Sequence, residues 1–176
     1  MEPTGADLET ARRHFDDERV SFRVATAVDL PFADASFDTV VCWEVLEHLP
    51  RRSEQRTFDE MARVLRPGGA LYLSTPHASP IAIVADPAWW LIGHRHYSRV
   101  DVAAYAAAAG LEVERLQLRG RWWELAQLLD LYLSKWVLRR RPPFEAAITP
   151  RLDREWQRPG FTNVFLRARK LRQPAV

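Results

Sequence analysis

Apolar and polar positions along this chain switch between a period near two and a period near 3.6. Residues 37–42, Phe-Asp-Thr-Val-Val-Cys, form a short β-branched run suited to a buried parallel strand. Over Glu54–Leu65 the period lengthens: Phe58, Met61, Ala62 and Leu65 share one helical face, and Ser53 stands where a cap belongs. Arg66-Pro67-Gly68-Gly69 is expected to stop that helix and turn the chain, and Ala70–Ser74 to open the next strand. The same reading places helices near Ala6–Phe15, Arg99–Ala109 and Trp122–Arg139, with Gly110 closing the second. Further strands are expected at Val20–Thr26, Glu112–Leu118 and Asn163–Arg169. Strand, helix, glycine turn and strand in this order make an open α/β sheet. Residues 119–160 would then be a helical insertion between the last two strands.

Composition adds a few bounds. With 176 residues and 47% apolar content, the chain is long enough for one domain with a sizeable core. A net charge of +2 points to no nucleic acid partner, although Arg139–Arg141 and the cluster Arg167, Arg169, Lys170 and Arg172 are locally basic. The single cysteine, Cys42, excludes an internal disulfide and favours a reducing compartment. No apolar run is long enough to span a bilayer, so a cytoplasmic location is expected.

The stretch from Leu30 to Thr75, LPFADASFDTVVCWEVLEHLPRRSEQRTFDEMARVLRPGGALYLST, resembles the middle of the class I S-adenosylmethionine-dependent methyltransferases, within the group that holds the quinone-biosynthesis enzymes. The resemblance implies a Rossmann-like methyltransferase sheet with strand order 3-2-1-4-5-7-6 and antiparallel edge strands at the carboxyl end. It implies S-adenosylmethionine as cofactor and methyl transfer to a small-molecule or lipid-linked acceptor, most readily at oxygen. That family begins with a strand and a glycine-rich loop. The seven glycines here form no G-x-G cluster, so residues 1–176 are expected to be one partial domain, truncated at its amino end by roughly 40–60 residues. On this alignment Glu2 is the ribose-binding carboxylate and Met1 an internal start. Pro3 and nearby acids would equally suit a plain helix start. Without its first two strands, such a sheet leaves Val20–Thr26 without a neighbour unless it pairs directly with Phe37–Cys42.

The resemblance carries several site residues. Thr26 stands where an acidic adenine ligand is usual, leaving the backbone of Ala27 as the contact. Cys42 and Trp43 end the fourth strand of the family's sheet and are expected to face the cofactor cleft. Cys42 reads as a small buried residue rather than a nucleophile. Glu44, Glu47 and His48 have i, i+3, i+4 spacing, which puts them on one face of a helix. Two carboxylates and an imidazole suit a divalent cation, Mg2+ by analogy with a similar E-x-x-E-H in quinone-biosynthesis O-methyltransferases. His48 could instead act as a general base, or the three could simply brace the loop. His77, His94, His96 and Tyr97 offer bases and hydrogen-bond donors near an acceptor pocket walled by Trp89 and Trp90. In Trp122–Leu138, Glu124, Gln127, Asp130, Ser134 and Lys135 take one narrow side and leave a broad apolar face. That helix suits a lid over a lipid-like acceptor, a peripheral membrane contact or a packing face. The reading from a different class is a non-catalytic methyltransferase-like module that binds a partner or membrane through this helix.

Overall fold

The computed structural model describes residues 5–15 and 17–172. Glu2, the expected ribose ligand, lies outside them. Chain order is α1 (Gly5–His14), β1 (Phe37–Trp43), a 3₁₀ turn (Leu46–His48), α2 (Glu54–Val64), β2 (Leu65–Pro76), α3 (Pro80–Ala85) and α4 (Pro87–Ile92). There follow α5 (Arg99–Ala108), β3 (Leu111–Arg119), α6 (Trp122–Leu133), a π-helical turn (Ser134–Leu138), α7 (Glu145–Trp156) and β4 (Asn163–Lys170). The four strands form one sheet in the order β1-β2-β4-β3. β1 and β2 are parallel, whereas β4 runs antiparallel to both β2 and β3. The antiparallel edge matches the expected sheet, and α6 and α7 lie between β3 and β4.

The core lies between the sheet and α2 with α5. Phe58, Met61 and Val64 of α2, Val102 and Ala106 of α5, and Leu71, Leu73, Val164 and Leu166 of the central strands are all buried. A side chain such as Phe58 stabilises by roughly 1.5–3 kcal/mol when fully buried. On the opposite face of the sheet Val41 and Trp43 remain half exposed. Ser98 caps α5 through a reciprocal capping box with Asp101.

Two local expectations fail. Arg66–Gly69 is no separate turn: β2 begins at Leu65, and these residues form a bulge, since Phe37 and Thr39 pair with Leu65 and Ala70. Gly69 permits it, because a Cβ there would sit 2.9 Å from the Arg66 carbonyl oxygen and 3.0 Å from that of Asp38. Residues 20–25 are not a strand, and Thr26 makes only an isolated bridge to Asp29. A strand needs a ladder partner, and the sheet ends at β1; Val20 and Val24 stay exposed. The following loop is tied to α2 instead. Arg63 donates to the carbonyls of Leu30 and Phe32 and to Asp34, and Glu60 accepts from the Leu30 N–H.

The helix at Trp122 also differs from a surface helix. Its polar side turns inward: Glu124 reaches Thr162 and Asn163, Asp130 accepts from the Phe144 N–H, and Ser134 is buried. Glu155 of α7 takes the N–H groups of Arg121, Trp123 and Glu124, satisfying the first turn of α6. The outward side carries Trp122, Leu129, Leu133 and Trp136 at 45–57% exposure. Among the described residues no helix is long and apolar enough to cross a membrane.

Candidate active site

The carboxyl ends of β1 and β2 open into a cleft covered by α6 and bordered by the loop between α4 and α5. Ligands in open α/β sheets bind at this end. A cavity of about 140 Å³ is lined there by Glu44, Asp86, His94, His96, Glu124 and Asn163, among others.

β1 ends with a left-handed residue: Glu44 has φ 51°. A non-glycine residue pays for this conformation, which is typical of functional sites. Its N–H donates to the Ser74 carbonyl, and its carboxylate accepts a short hydrogen bond from the Ser74 hydroxyl. Glu47 follows in the 3₁₀ turn and is almost wholly buried. One oxygen accepts from the Thr75 hydroxyl at 3.0 Å. The other, Oε1, has no hydrogen-bond partner. Burial, helped by the neighbouring Glu44, pushes the Glu47 pKa up to about 7, against the pull of Thr75 and His94.

Asp86 organises the histidines. It ends α3 and caps α4, where one oxygen accepts the Ala88 N–H at 2.9 Å. Its second oxygen lies 2.7 Å from His94 Nδ1 and 3.5 Å from His96 Nε2. Burial opposes charge on the His94 ring, but the hydrogen bond and charge of Asp86, with Glu47 and Glu44, outweigh it and raise its pKa. His94 Nε2 then faces Glu47 Oε1 at 4.0 Å. His96 is more deeply buried, and desolvation lowers its pKa despite Asp86. His48, half exposed, stands beside His94 with ring centroids 4.8 Å apart; partial burial and then the His94 charge lower its pKa.

Some expected residues come together here and others do not. His48, His94 and His96 converge with Glu44 and Glu47. The chain at Glu44–His48 is not a continuous helix, however, because Glu44 is left-handed and only Leu46–His48 form a turn. Single ligand atoms of Glu47, His48 and His94 lie within 4.8 Å of one another, while the Glu44 carboxylate accepts from Ser74. Tyr97 is buried and spends its hydroxyl on the Leu46 carbonyl and Glu54, so it braces the turn. Cys42 and Trp43 end β1 on opposite faces of the sheet: Cys42 in the core, Trp43 against the Phe165 ring at 6.0 Å. Burial, then the charges of Glu47 and Glu44, push the Cys42 thiol up to about 12. Thr26 and Ala27 lie by α2, where Arg56 donates to the Val28 carbonyl. They do not line the cleft.

Sequence reasoning missed Asp86 and Glu124 as parts of this site. Asp86-Pro87 does carry the signal of a helix cap, but its second carboxylate oxygen meets histidines eight and ten residues on, which no periodicity reports. Glu124 read as one member of a polar stripe. Gly120 permits its approach, since a Cβ there would sit 1.4 Å from Glu124 Oε2. Arg95 joins the set as an anchor, bonding Glu54 and the carbonyls of Leu46 and Leu49.

A sheet with this strand order, a cleft at its parallel strand ends and an antiparallel edge defines the methyltransferase class of α/β fold. The solved S-adenosylmethionine-dependent methyltransferase from Mesorhizobium loti superposes on 95% of the chain and 77% of its own length, with TM-score 0.61 and 19% identity. Residues 1–73 match the family described as a methyltransferase domain. Among curated relatives, 27-O-demethylrifamycin SV methyltransferase of Amycolatopsis mediterranei is 46% identical over 74 residues, covering 40% of this chain and 26% of that protein. The ubiquinone biosynthesis O-methyltransferase of Xanthomonas euvesicatoria is 37% identical over 108 residues, covering 54% and 44%. The chain thus spans less than half the length of these relatives. Over its first 73 residues the chain is thus similar to methyltransferase-domain proteins, and its sheet has the fold of solved methyltransferases.

Proposed function

We propose that this protein methylates a hydroxyl of a small-molecule acceptor, with the Asp86–His94 pair handling the proton. The observation that carries the reading is the 2.7 Å contact that fixes His94 Nδ1 and leaves Nε2 facing the cleft. The family and the relatives named as O-methyltransferases support the reaction class. S-adenosylmethionine supplies an electrophilic methyl on a cationic sulfonium. The chain's contribution is electrostatic: Glu44 and Asp86 line the cleft, and the buried Glu47 Oε1, 4.0 Å from His94 Nε2, has no hydrogen-bond partner. A positively charged ligand suits that environment. Trp43, at the carboxyl end of β1, is the described residue we assign to the nucleoside part, with Glu2 for the ribose.

His94 Nε2 accepts the acceptor's hydroxyl proton as oxygen attacks, and Asp86 stabilises the imidazolium that results. His48, with its lowered pKa, is the second neutral imidazole at the mouth. The second reading places a divalent cation on Glu47, His48 and His94, favoured by the unpartnered Glu47 oxygen. Two imidazoles and one carboxylate suit zinc or manganese better than magnesium, which prefers an oxygen shell.

The test is calorimetry with S-adenosylhomocysteine, followed by methyl transfer to a panel of phenols and catechols. Asp86→Asn and His94→Gln should each lower kcat by about 10²-fold or more while S-adenosylhomocysteine affinity is retained. Full activity in both variants would refute the proton role, and loss of activity on chelation would select the cation. Absence of any S-adenosyl ligand binding would leave the partner-binding module as the better reading.

A further inference from the structure

The outer side of α6 forms a second site that the methyl-transfer reading does not use. Trp123, Ala126, Leu129 and Leu133 of α6 face Phe144, Ala147 and Ile148 of α7 and its lead-in across an open groove of about 730 Å³. Its lining is mostly apolar; Asp130 and Arg151 are its charged residues, Arg151 at one end. There the groove meets a second hollow, of about 360 Å³, bordered by Arg121, Arg151, Arg154 and Arg158. Trp123 and Arg151 belong to both, and the Arg151 guanidinium lies 5.1 Å above the Trp123 ring.

The hollow carries a net positive charge, with four guanidiniums against the single carboxylate of Glu155. Arg151 and Arg154 share one side of α7, Arg158 follows its carboxyl end, and Arg121 joins them from the residue before α6. Glu155 is the acid among them, and its two oxygens are already taken by three N–H groups of the α6 start. None of the four arginines is within ion-pair distance of a carboxylate among the described residues. Four guanidiniums around one hollow repel one another, an arrangement an anion relieves with charge-assisted, bidentate hydrogen bonds.

The geometry points to a binding site for a single-chain anionic amphiphile, with its phosphate or carboxylate head among Arg121, Arg151, Arg154 and Arg158 and its hydrocarbon tail along the α6–α7 groove. Continuity of the two hollows at Trp123 sets head and tail in line. Nucleic acid would answer the arginines but has no hydrocarbon for Leu129, Leu133 and Phe144. A two-fold contact with a second copy centred on this face would set one arginine cluster against the other. The site stands on the side of α6 away from Glu124 and Leu128, which line the inner cleft, so it holds independently of the reaction proposed there.

The test titrates dodecyl phosphate into the full chain by calorimetry, below its micelle concentration. Inorganic phosphate, dodecyl maltoside and phosphatidylglycerol vesicles are the comparison probes. The site predicts saturable one-to-one binding of dodecyl phosphate, at least about tenfold tighter than dodecyl maltoside, with inorganic phosphate weaker than either. Arg154→Glu with Arg158→Glu should weaken it by about tenfold or more, and so should Leu129→Glu. These three positions are exposed, so unchanged circular dichroism is expected, and Arg154→Gln with Arg158→Gln repeats the test without charge reversal. Equal affinity for the neutral detergent, binding to vesicles without binding of the monomeric amphiphile, or indifference to the arginine variants would overturn the assignment.

Discussion

Replacing Glu124 with Gln should make the protein more stable at pH 8 and leave it nearly unchanged at pH 5. Glu124 is on the inward side of α6, and burial pushes its carboxyl from 4.5 to about 7, opposed by the Thr162 and Asn163 hydrogen bonds and reinforced by Glu44. A raised carboxyl pKa means the folded state holds the proton more tightly than the unfolded chain. Its contribution is therefore fully present below about pH 4.5 and is lost as pH rises through about 7. The difference of roughly 2.5 pKa units corresponds to about 3 kcal/mol by pH 8. The hydrogen bonds agree with this sign. The Thr162 hydroxyl lies 2.9 Å from the Arg119 carbonyl and 2.6 Å from Glu124, yet it has one proton to give. A protonated Glu124 donates to Thr162 and frees that proton for Arg119. Glutamine reproduces this pattern permanently, its NH₂ toward Thr162 and its carbonyl toward Asn163. Urea unfolding of both proteins, followed by far-ultraviolet circular dichroism, measures the gap. It should be within about 1 kcal/mol at pH 5 and widen to about 3 kcal/mol in favour of the variant at pH 8. Glu47 shifts in the same direction in both proteins and cancels. A gap that stays constant with pH, or a variant less stable at pH 8, would refute the protonated Glu124.

Three other outcomes follow from the packing. Arg95→Met should lower stability by about 3–5 kcal/mol, because Glu54 and two turn carbonyls lose their partner in a mostly buried setting; urea midpoints report it, and a loss under 1 kcal/mol would contradict the anchor. Gly69→Ala should cost about 1–3 kcal/mol, since the new methyl meets the Asp38 carbonyl of the neighbouring strand, which cannot swing aside; a neutral thermal shift would count against the bulge geometry. Cys42 should resist a thiol reagent at pH 8 in the native protein and react fully once unfolded, and rapid native labelling would show that it is not in the core.

Local chemistry accounts for the elements that period and punctuation can mark. The β-branched run at Thr39–Val41 and the apolar face of α2 each report themselves within a few residues, and both elements form where expected, although Thr39 and Val41 are exposed. The parallel pair and the antiparallel edge were implied by family wording rather than by periodicity. Residues 20–25 show the limit: their apolar spacing suits a strand, but a strand exists only with a partner ladder, and nothing local states where the sheet ends. The bulge at Arg66–Gly69 has the same origin, because a glycine pair marks a departure from helix without saying which neighbour the backbone will meet.

The sequence alone determined which side chains were available for chemistry: the run Glu44–His48, the histidines around Arg95, and the tryptophan-bracketed helix. Only the tertiary structure decided their grouping. It put Glu44 itself in a left-handed conformation apart from the Leu46–His48 turn, brought Asp86 against His94, and turned the polar side of α6, with Glu124, inward. The physical reason is that helical spacing orders neighbours along one element, whereas burial, pKa and hydrogen-bond partners depend on which elements the sheet packs together.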